Sequence, residues 1–290
     1  MEAMKNNALR SQKGGLIASR AVSYTVLILL TLLCLVPFYM LIICATKAHG
    51  ALTSGFTFLP GHSFGANLRN LLNNENIPML RGIFNSLLVS ACAAACATYF
   101  STMTAYGLYA YTFKARRFAR LFILLVMMVP DKVSSLGLIH LITKFDMMDT
   151  YWPLILPKIA APLVFYYILQ YMESVLPMEI VEAARCDGAG EFYAFHHIVL
   201  PVMKPALAVQ AIFTFVENWN LYFLPALVIT TNESKTIPIL IAQMHSADYM
   251  KFDLGQVYMM ICVAIIPVLL VYLFLSKFII KGVTMGSVKG

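Results

Sequence analysis

Charged residues are scarce in this chain. Lysine, arginine, aspartate and glutamate together make up 12% of its 290 residues, whereas hydrophobic residues make up 60%. A soluble globular protein carries about 25% charged residues. The scarcity excludes an ordinary soluble domain and predicts a protein that is solvated mainly by a lipid bilayer.

Several motifs that carry chemistry are missing as well. The sequence has no GxxxxGK[ST] loop for nucleotide phosphates and no HExxH pair for zinc. Its six cysteines form no CxxC pair and lie mostly in apolar runs, as small apolar filler does. His196 and His197 have no carboxylate or cysteine at ligand spacing, so we expect no metal site. These absences argue against an enzyme, either an ATPase or an intramembrane hydrolase.

The apolar residues are gathered into long segments. About 20 helical residues cross the roughly 30 Å of hydrocarbon in a bilayer. Six segments of the chain have that length, which predicts an all-α integral membrane protein with six transmembrane helices. They lie near residues 21–44, 83–106, 118–142, 153–171, 206–230 and 256–280.

Most of the 21 lysines and arginines flank one set of segment ends. They cluster in residues 1–20, 114–120, 185–204 and 277–289. Because positive residues favour the cytoplasmic side, this distribution predicts that both termini are cytoplasmic. We therefore expect a cytoplasmic tail at 1–20, one membrane domain at 21–280 and a second tail at 281–290. The net charge of +7 comes without a stacking platform for bases, so we expect no nucleic-acid partner.

The segment 177–205, between the fourth and fifth spans, is charged and punctuated by glycine. Pro177 suits the first turn of a helix, and Met178–Cys186 then forms about two turns. Ile180, Ala183 and Ala184 are expected near one slim face that suits a groove on a partner. This segment is called the 177–205 loop below.

The rest of the 177–205 loop predicts a turn and a second short helix. Asp187 and Gly188 form the turn, since glycine supplies whatever φ the reversal needs. The second helix is expected from Ala189 to Val199, ended by Leu200-Pro201.

The octet Glu182-Ala183-Ala184-Arg185-Cys186-Asp187-Gly188-Ala189 resembles the EAA loop of bacterial ABC importers. Membrane subunits of those importers use this loop to dock onto their ATPases. Phe195, Ile198, Leu200 and Pro201 extend the match. Further stretches are similar to the carbohydrate-type permeases of that family: Phe84–Leu87, Ala105–Leu108, Met148–Tyr151, Trp219-Asn220 and the tail 281–290.

The resemblance implies a membrane-spanning permease subunit of a sugar or oligosaccharide importer in the bacterial cytoplasmic membrane. It implies a second homologous permease, two ATPase subunits that bind ATP and Mg, and an extracytoplasmic solute-binding protein as partners. This chain would bind no cofactor. The residues implied in coupling to the ATPase are Glu179, Glu182, Ala183, Ala184, Asp187, Gly188, Ala189, Phe195 and Pro201.

Two other functions compete with this interpretation. One is an ABC permease for a solute other than sugar. The other is an ion-driven secondary transporter, which would not need the 177–205 loop and for which internal inverted repeats are typical. We find no such repeat in the sequence.

Polar side chains within the fifth predicted span are candidates for a substrate pathway: Glu217, Asn218, Trp219, Asn220 and Tyr222. Carboxylate and amide groups beside an indole suit a sugar, which presents hydroxyls around an apolar ring. Glu217 and Asn220 are three residues apart and share a helix face. The alternatives are a hydrogen-bond network between helices and a contact with the second permease.

A charged pair, Asp131-Lys132, follows Pro130 in the third predicted span. Charge near the centre of a bilayer costs about 2.5–3.5 kcal/mol on insertion scales, so such residues normally face protein or water. A pathway lining, a gate and a structural ion pair fit equally well.

Small residues recur at every fourth position of the second predicted span: Ser86, Ser90, Ala94, Thr98 and Thr102. Such a stripe lets helix backbones approach closely in lipid. The stripe predicts a tight helix–helix seam.

Overall fold

The structure is a computed structural model that describes the backbone of residues 2–55, 57–245 and 253–286. Side chains are described for residues 19–55, 57–130, 132–245 and 253–278. Regular structure in this part of the chain is helical, as predicted. The α-helices are α1 (Glu2–Ala45), α2 (His49–Thr53), α3 (Phe64–Leu72), α4 (Met79–Ala110), α5 (Arg116–Val126), α6 (Asp131–Lys144), α7 (Trp152–Ile155), α8 (Pro162–Val175), α9 (Met178–Cys186), α10 (Glu191–Ala194), α11 (Leu200–Trp219), α12 (Phe223–Val228), α13 (Ile237–His245) and α14 (Leu254–Gly286).

Five helical segments of the described chain are long and apolar enough to span a membrane. They are Ser19–Ala45, Met79–Ala110, Trp152–Val175, Glu191–Trp219 and Leu254–Phe278. They match the first, second, fourth, fifth and sixth predicted segments, with shifted ends. The predicted total of six spans therefore depends on the third segment.

The third predicted segment, 118–142, is not one helix. α5 ends at Val126, and α6 begins at Asp131 after an extended Pro130 (φ −63°, ψ 130°). Proline lacks an N–H and disfavours the helical conformation of the residue before it. The segment is therefore interrupted at Pro130, which hydropathy alone does not register, and the count of six spans stays a prediction.

The fifth predicted segment, 206–230, also has different ends. The helix begins well before Ala206 and stops at Trp219, and Asn220 is its C-cap (φ −90°, ψ −1°). A separate short helix, α12, follows. The residues after Asn220 are also mostly apolar, so hydropathy did not indicate that α11 ends before them.

Two compact units divide the chain, one formed by residues 1–70 and 253–262 and the other by residues 71–252 and 263–290. In the first unit, the Asn67 amide donates to the carbonyls of Ala45 and Lys47, both at 2.9 Å. The Lys47 ammonium donates to the carbonyl of Thr57 at 2.6 Å. These bonds fix the segment that follows α1. The predicted division into two tails and one membrane domain stays a prediction, and residues 287–290 lie outside the described residues.

The second unit is built around α4, which packs against α8 and α11. Each member of the small-residue stripe on α4 is buried, including Ser90 and Thr102 with no exposed surface. The predicted seam is therefore confirmed. Ile168, Met172 and Met203 are fully buried in the adjoining core.

Candidate functional site

The first helix of the 177–205 loop forms as the sequence predicts. α9 spans Met178–Cys186, directly after Pro177 in extended conformation (φ −68°, ψ 131°). Val181 and Ala184, three residues apart, point into the protein, and Val181 has no exposed surface. The predicted grouping of Ala184 with Ile180 and Ala183 is wrong in one respect, because Ala184 lies on this inner face.

The outer face of α9 carries charge. Glu179, Glu182 and Ala183 are all exposed, as is Ile180. This face is therefore acidic with a small apolar patch. Such a face suits a groove that presents basic side chains.

The turn after α9 is a Schellman motif. The Ala189 N–H donates to the carbonyl of Ala184 (2.9 Å), and the Gly188 N–H donates to that of Arg185 (3.0 Å). Gly188 has φ +81° in this turn. Only glycine adopts this conformation without strain, which explains why the reversal is placed at Gly188.

The second helix differs from its prediction. α10 is short, and one π-helical turn, Phe195–Val199, joins it to α11 without a stop. Pro201 lies in the first turn of α11. Proline has no N–H to donate to the carbonyl four residues earlier, and in an α-helix its ring clashes with that carbonyl. The wider π-helical turn before Pro201 lets the helix continue. The predicted end of the helix at Leu200-Pro201 is wrong for this reason.

The 177–205 loop holds an ion pair that the sequence did not indicate. Arg185 donates from Nε to Glu191 Oε1 at 2.7 Å and from Nη2 to Oε2 at 3.4 Å. The hydrogen bond to Glu191 raises the pKa of Arg185. Tyr106 donates to Glu191 Oε2 at 3.0 Å. A glutamate six residues after an arginine, across a glycine turn, is the only local signal of this pair.

The two histidines of the loop have structural partners. His196 Nδ1 lies 2.8 Å from the carbonyl of Phe192, and its Nε2 lies 3.1 Å from Tyr99 Oη. A ring with its proton on Nδ1 satisfies both contacts. His197 Nδ1 lies 3.2 Å from the carbonyl of Tyr193. In the described part of the chain, no group of three His, Cys, Asp or Glu is placed to hold a metal ion.

A cavity of about 490 Å³ lies beside the end of α11. Ligand pockets commonly measure roughly 300–1,000 Å³. Its wall combines apolar and polar groups. The lining residues are Ser134, Ser135, Gly137, Leu138, Leu141, Pro153, Leu154, Pro157, Lys158, Glu217, Leu221 and Leu224.

Glu217 is the one predicted pathway residue that lines this cavity. Its Oε1 accepts a hydrogen bond from Lys158 Nζ at 2.8 Å, so the two charges neutralise each other at the wall. Sequence spacing could not reveal the pair because 59 residues separate its members.

The other predicted pathway residues lie elsewhere. Asn218 and Trp219 are buried; the Asn218 amide donates to the carbonyl of Thr214 at 2.7 Å, and the indole stacks on Phe215. Asn220 is exposed and donates to the carbonyl of Val216 within its own helix at 2.9 Å. Tyr222 is 48% exposed.

The predicted charged pair sits at the start of α6. Lys132 is exposed. The side chain of Asp131 lies outside the described residues, so the pairing of these two charges stays a prediction.

A polar cluster that the sequence did not indicate fixes the segment 230–237. Asp149 (φ 59°) accepts hydrogen bonds from the backbone of Thr230 and Thr231 and from the Thr231 hydroxyl. These bonds, the Thr231 hydroxyl first, lower the pKa of Asp149. The Asn85 amide donates to the carbonyls of Glu233 (2.8 Å) and Lys235 (3.0 Å).

Comparison with known proteins gives consistent relatives. The family of binding-protein-dependent transport system inner membrane components matches residues 97–284. The arabinooligosaccharides transport system permease protein AraQ of Bacillus subtilis (strain 168) is 34% identical over 76% of this chain and 77% of its own length. The lactose transport system permease protein LacG of Rhizobium radiobacter is 29% identical over 92% of this chain and 96% of its own.

One further relative and one solved structure complete the comparison. The sn-glycerol-3-phosphate transport system permease protein UgpE of Pectobacterium atrosepticum is 28% identical over 90% of this chain and 94% of its own. A bacterial ABC transporter that imports the acidic polysaccharide alginate superposes with a TM-score of 0.74 and 20% identity, over 90% of this chain and 97% of that one. That likeness concerns the fold. The chain belongs to the inner membrane components of binding-protein-dependent transport systems.

Proposed function

We propose that this chain is the membrane-spanning permease subunit of an ATP-driven, binding-protein-dependent importer of sugars or oligosaccharides. It forms half of the translocation pore and couples to separate ATPases through the 177–205 loop. The observation that carries the proposal is the structure of that loop. α9 presents an acidic outer face, and a Schellman turn at Gly188 reverses the chain directly behind it.

The sugar assignment is supported by the relatives AraQ and LacG, which are named for oligosaccharides and lactose. The wall of the cavity fits this substrate class. It offers two serine hydroxyls and a neutralised ion pair among apolar side chains. The relative UgpE is named for sn-glycerol-3-phosphate, a phosphorylated polyol. A non-sugar solute is therefore the second candidate.

Coupling in this proposal works through the outer face of α9. Glu179 and Glu182 meet basic side chains of the ATPase, while Ala183 keeps the helix surface low enough to lie in a groove. Ala184 acts from the inner face, since its small side chain lets α9 lie against the core. Phe195 is buried within the loop, and Pro201 lies in the first turn of the helix that leads away from α9 and α10. ATP and Mg bind the ATPases, whose closure moves the loop.

The solute pathway in this proposal includes Glu217 and the cavity beside it. Asn218 and Trp219 support the pathway from behind, in the seam between α4 and α11. Asn220 and Tyr222 face outward at the end of α11, where a second permease can cover them. Both termini face the cytoplasm.

Co-purification tests the proposal. The tagged chain is extracted from its native membrane in mild detergent, and mass spectrometry identifies the proteins that accompany it. We expect an ATPase and a second permease, and the associated binding protein then identifies the sugar by ligand screening. A solitary chain that moves solute under an ion gradient would overturn the proposal.

A further inference from the structure

The ion pair in the 177–205 loop joins the two sides of its turn. Arg185 lies in the last turn of α9, and Glu191 is the first residue of α10. Their side chains make a two-point contact, with its shorter bond at 2.7 Å. Such a fork fixes the relative direction of two helices better than a single bond does.

The same carboxylate reaches α4. Tyr106 is 4% exposed and donates its hydroxyl to Glu191 Oε2 at 3.0 Å. A buried tyrosine hydroxyl needs a partner, and Glu191 supplies one. The Tyr106 ring also packs against Phe195, with centroids 5.7 Å apart. The second side of the loop is thereby fixed to α4.

A second tyrosine of α4 holds the chain just before the loop. Tyr109 donates to the carbonyl of Leu176 at 2.7 Å, two residues before α9 begins. Tyr106 and Tyr109 are three residues apart and therefore lie on one face of α4. Just beyond α4, the Arg185 guanidinium lies 5.1 Å from the centroid of the Tyr111 ring. α4 and Tyr111 directly after it thus contact the chain before α9, at the end of α9 and after it.

We infer that Glu191 and Arg185 are positioning residues that fix the 177–205 loop to the last turns of α4, so that a displacement of the loop moves α4. This inference rests on the proposed function, in which ATPases displace the loop. Neither residue lies on the outer face of α9 that was assigned to ATPase contact. Their role is to transmit the movement, since α4 is the helix around which the second unit packs.

The test uses the whole complex in lipid nanodiscs and measures ATPase activity with and without its binding protein. Stimulation by the binding protein requires transmission through the permease. In Glu191→Gln we expect unchanged ATPase co-purification and stimulation reduced about fivefold, the lower end of common coupling effects. The exchanged pair Arg185→Glu with Glu191→Arg should restore stimulation to within about twofold of the wild type, since a hydroxyl such as that of Tyr106 also accepts hydrogen bonds.

A matched control is Glu173→Gln, which breaks another half-exposed ion pair, with Arg120 at 3.0 Å. It should leave stimulation unchanged. Tyr106→Phe provides a second variant that keeps both charges and should lower stimulation in the same direction.

Several outcomes overturn the inference. They are wild-type stimulation in Glu191→Gln, loss of ATPase co-purification in that variant, and failure of the exchanged pair to restore stimulation. Failure of the wild-type chain to bring down any ATPase would instead contradict the proposed function. The two failures are therefore distinguishable.

Discussion

Replacing Gly188 by valine tests whether the shape of the 177–205 loop controls ATPase binding. A Cβ built at Gly188 would have no neighbouring atom within 4 Å. The first side-chain carbon of a substituted residue therefore meets no atom there. The expected effect comes from the backbone, because φ at this position is +81°.

The magnitude follows from that dihedral angle. A non-glycine residue held in a sparsely populated region costs about 1–3 kcal/mol, and a β-branched residue belongs at the upper end. If the loop relaxes to a negative φ instead, it loses the Schellman bonds of Gly188 and Ala189. Since 1.4 kcal/mol corresponds to a tenfold change in an equilibrium constant, we expect ATPase association to fall roughly 5- to 150-fold.

The assay is quantitative co-purification of the ATPase with the tagged permease at matched membrane levels. Gly190→Val is the control. Gly190 has φ −66° and ψ 152°, where valine fits, and a Cβ built there also has no neighbouring atom within 4 Å. Gly188→Asn should fall between the two, because asparagine tolerates a left-handed conformation better than other residues do.

The comparison has a clear refuting result. If Gly188→Val retains as much ATPase and uptake as Gly190→Val, the turn geometry does not determine docking. If both variants fail to reach the membrane, the loop would be required for insertion rather than for coupling. The prediction is supported if the amount of co-purified ATPase falls in the order wild type, Gly190→Val, Gly188→Asn and Gly188→Val.

Two further predictions concern pairs that the fold brings together. Glu217→Gln should lower uptake, with stability changed by less than about 1 kcal/mol, since the Glu217 side chain is 58% exposed in its contact with Lys158. Asn220→Ala, outside the cavity, should change uptake little. Equal uptake in the two variants would remove Glu217 from the pathway. The lowered pKa of Asp149 means that its carboxylate stabilises the fold above its ordinary pKa of about 3.9 and that this contribution is lost as pH falls through the lowered value. Thermal unfolding should therefore show a smaller loss of stability on acidification in Asp149→Asn, and an unchanged pH profile would contradict this.

The 177–205 loop was largely predictable because its signals are local. Proline before a helix and glycine after it fix the bounds of α9 within a few residues of sequence. The course of the chain beyond Leu200 was not predictable in this way. A proline there normally ends a helix, and only the π-helical turn before it shows how the helix continues.

The long-range contacts of the polar side chains could not be derived from the sequence. Lys158 meets Glu217 across 59 residues, and Asn85 meets the carbonyl of Glu233 across 148. Such pairs depend on how helices lie beside one another, which composition does not specify. The helix–helix seam of α4 was predicted correctly because small residues mark the contact face itself, whichever helix packs there.

The two breaks that the hydropathy pattern concealed have a common consequence. α6 begins after the interruption at Pro130, and its first turns supply Ser134 and Ser135 to the cavity; α11 ends before an interruption that supplies Leu221. In membrane proteins, irregular backbone at depth is tolerated where it is buried in protein or lines a water-filled space, because lipid cannot satisfy its polar groups. Both interruptions adjoin the same cavity, where Glu217 and Lys158 also meet. A simple count of apolar segments therefore fails beside the cavity that we propose as part of the solute pathway.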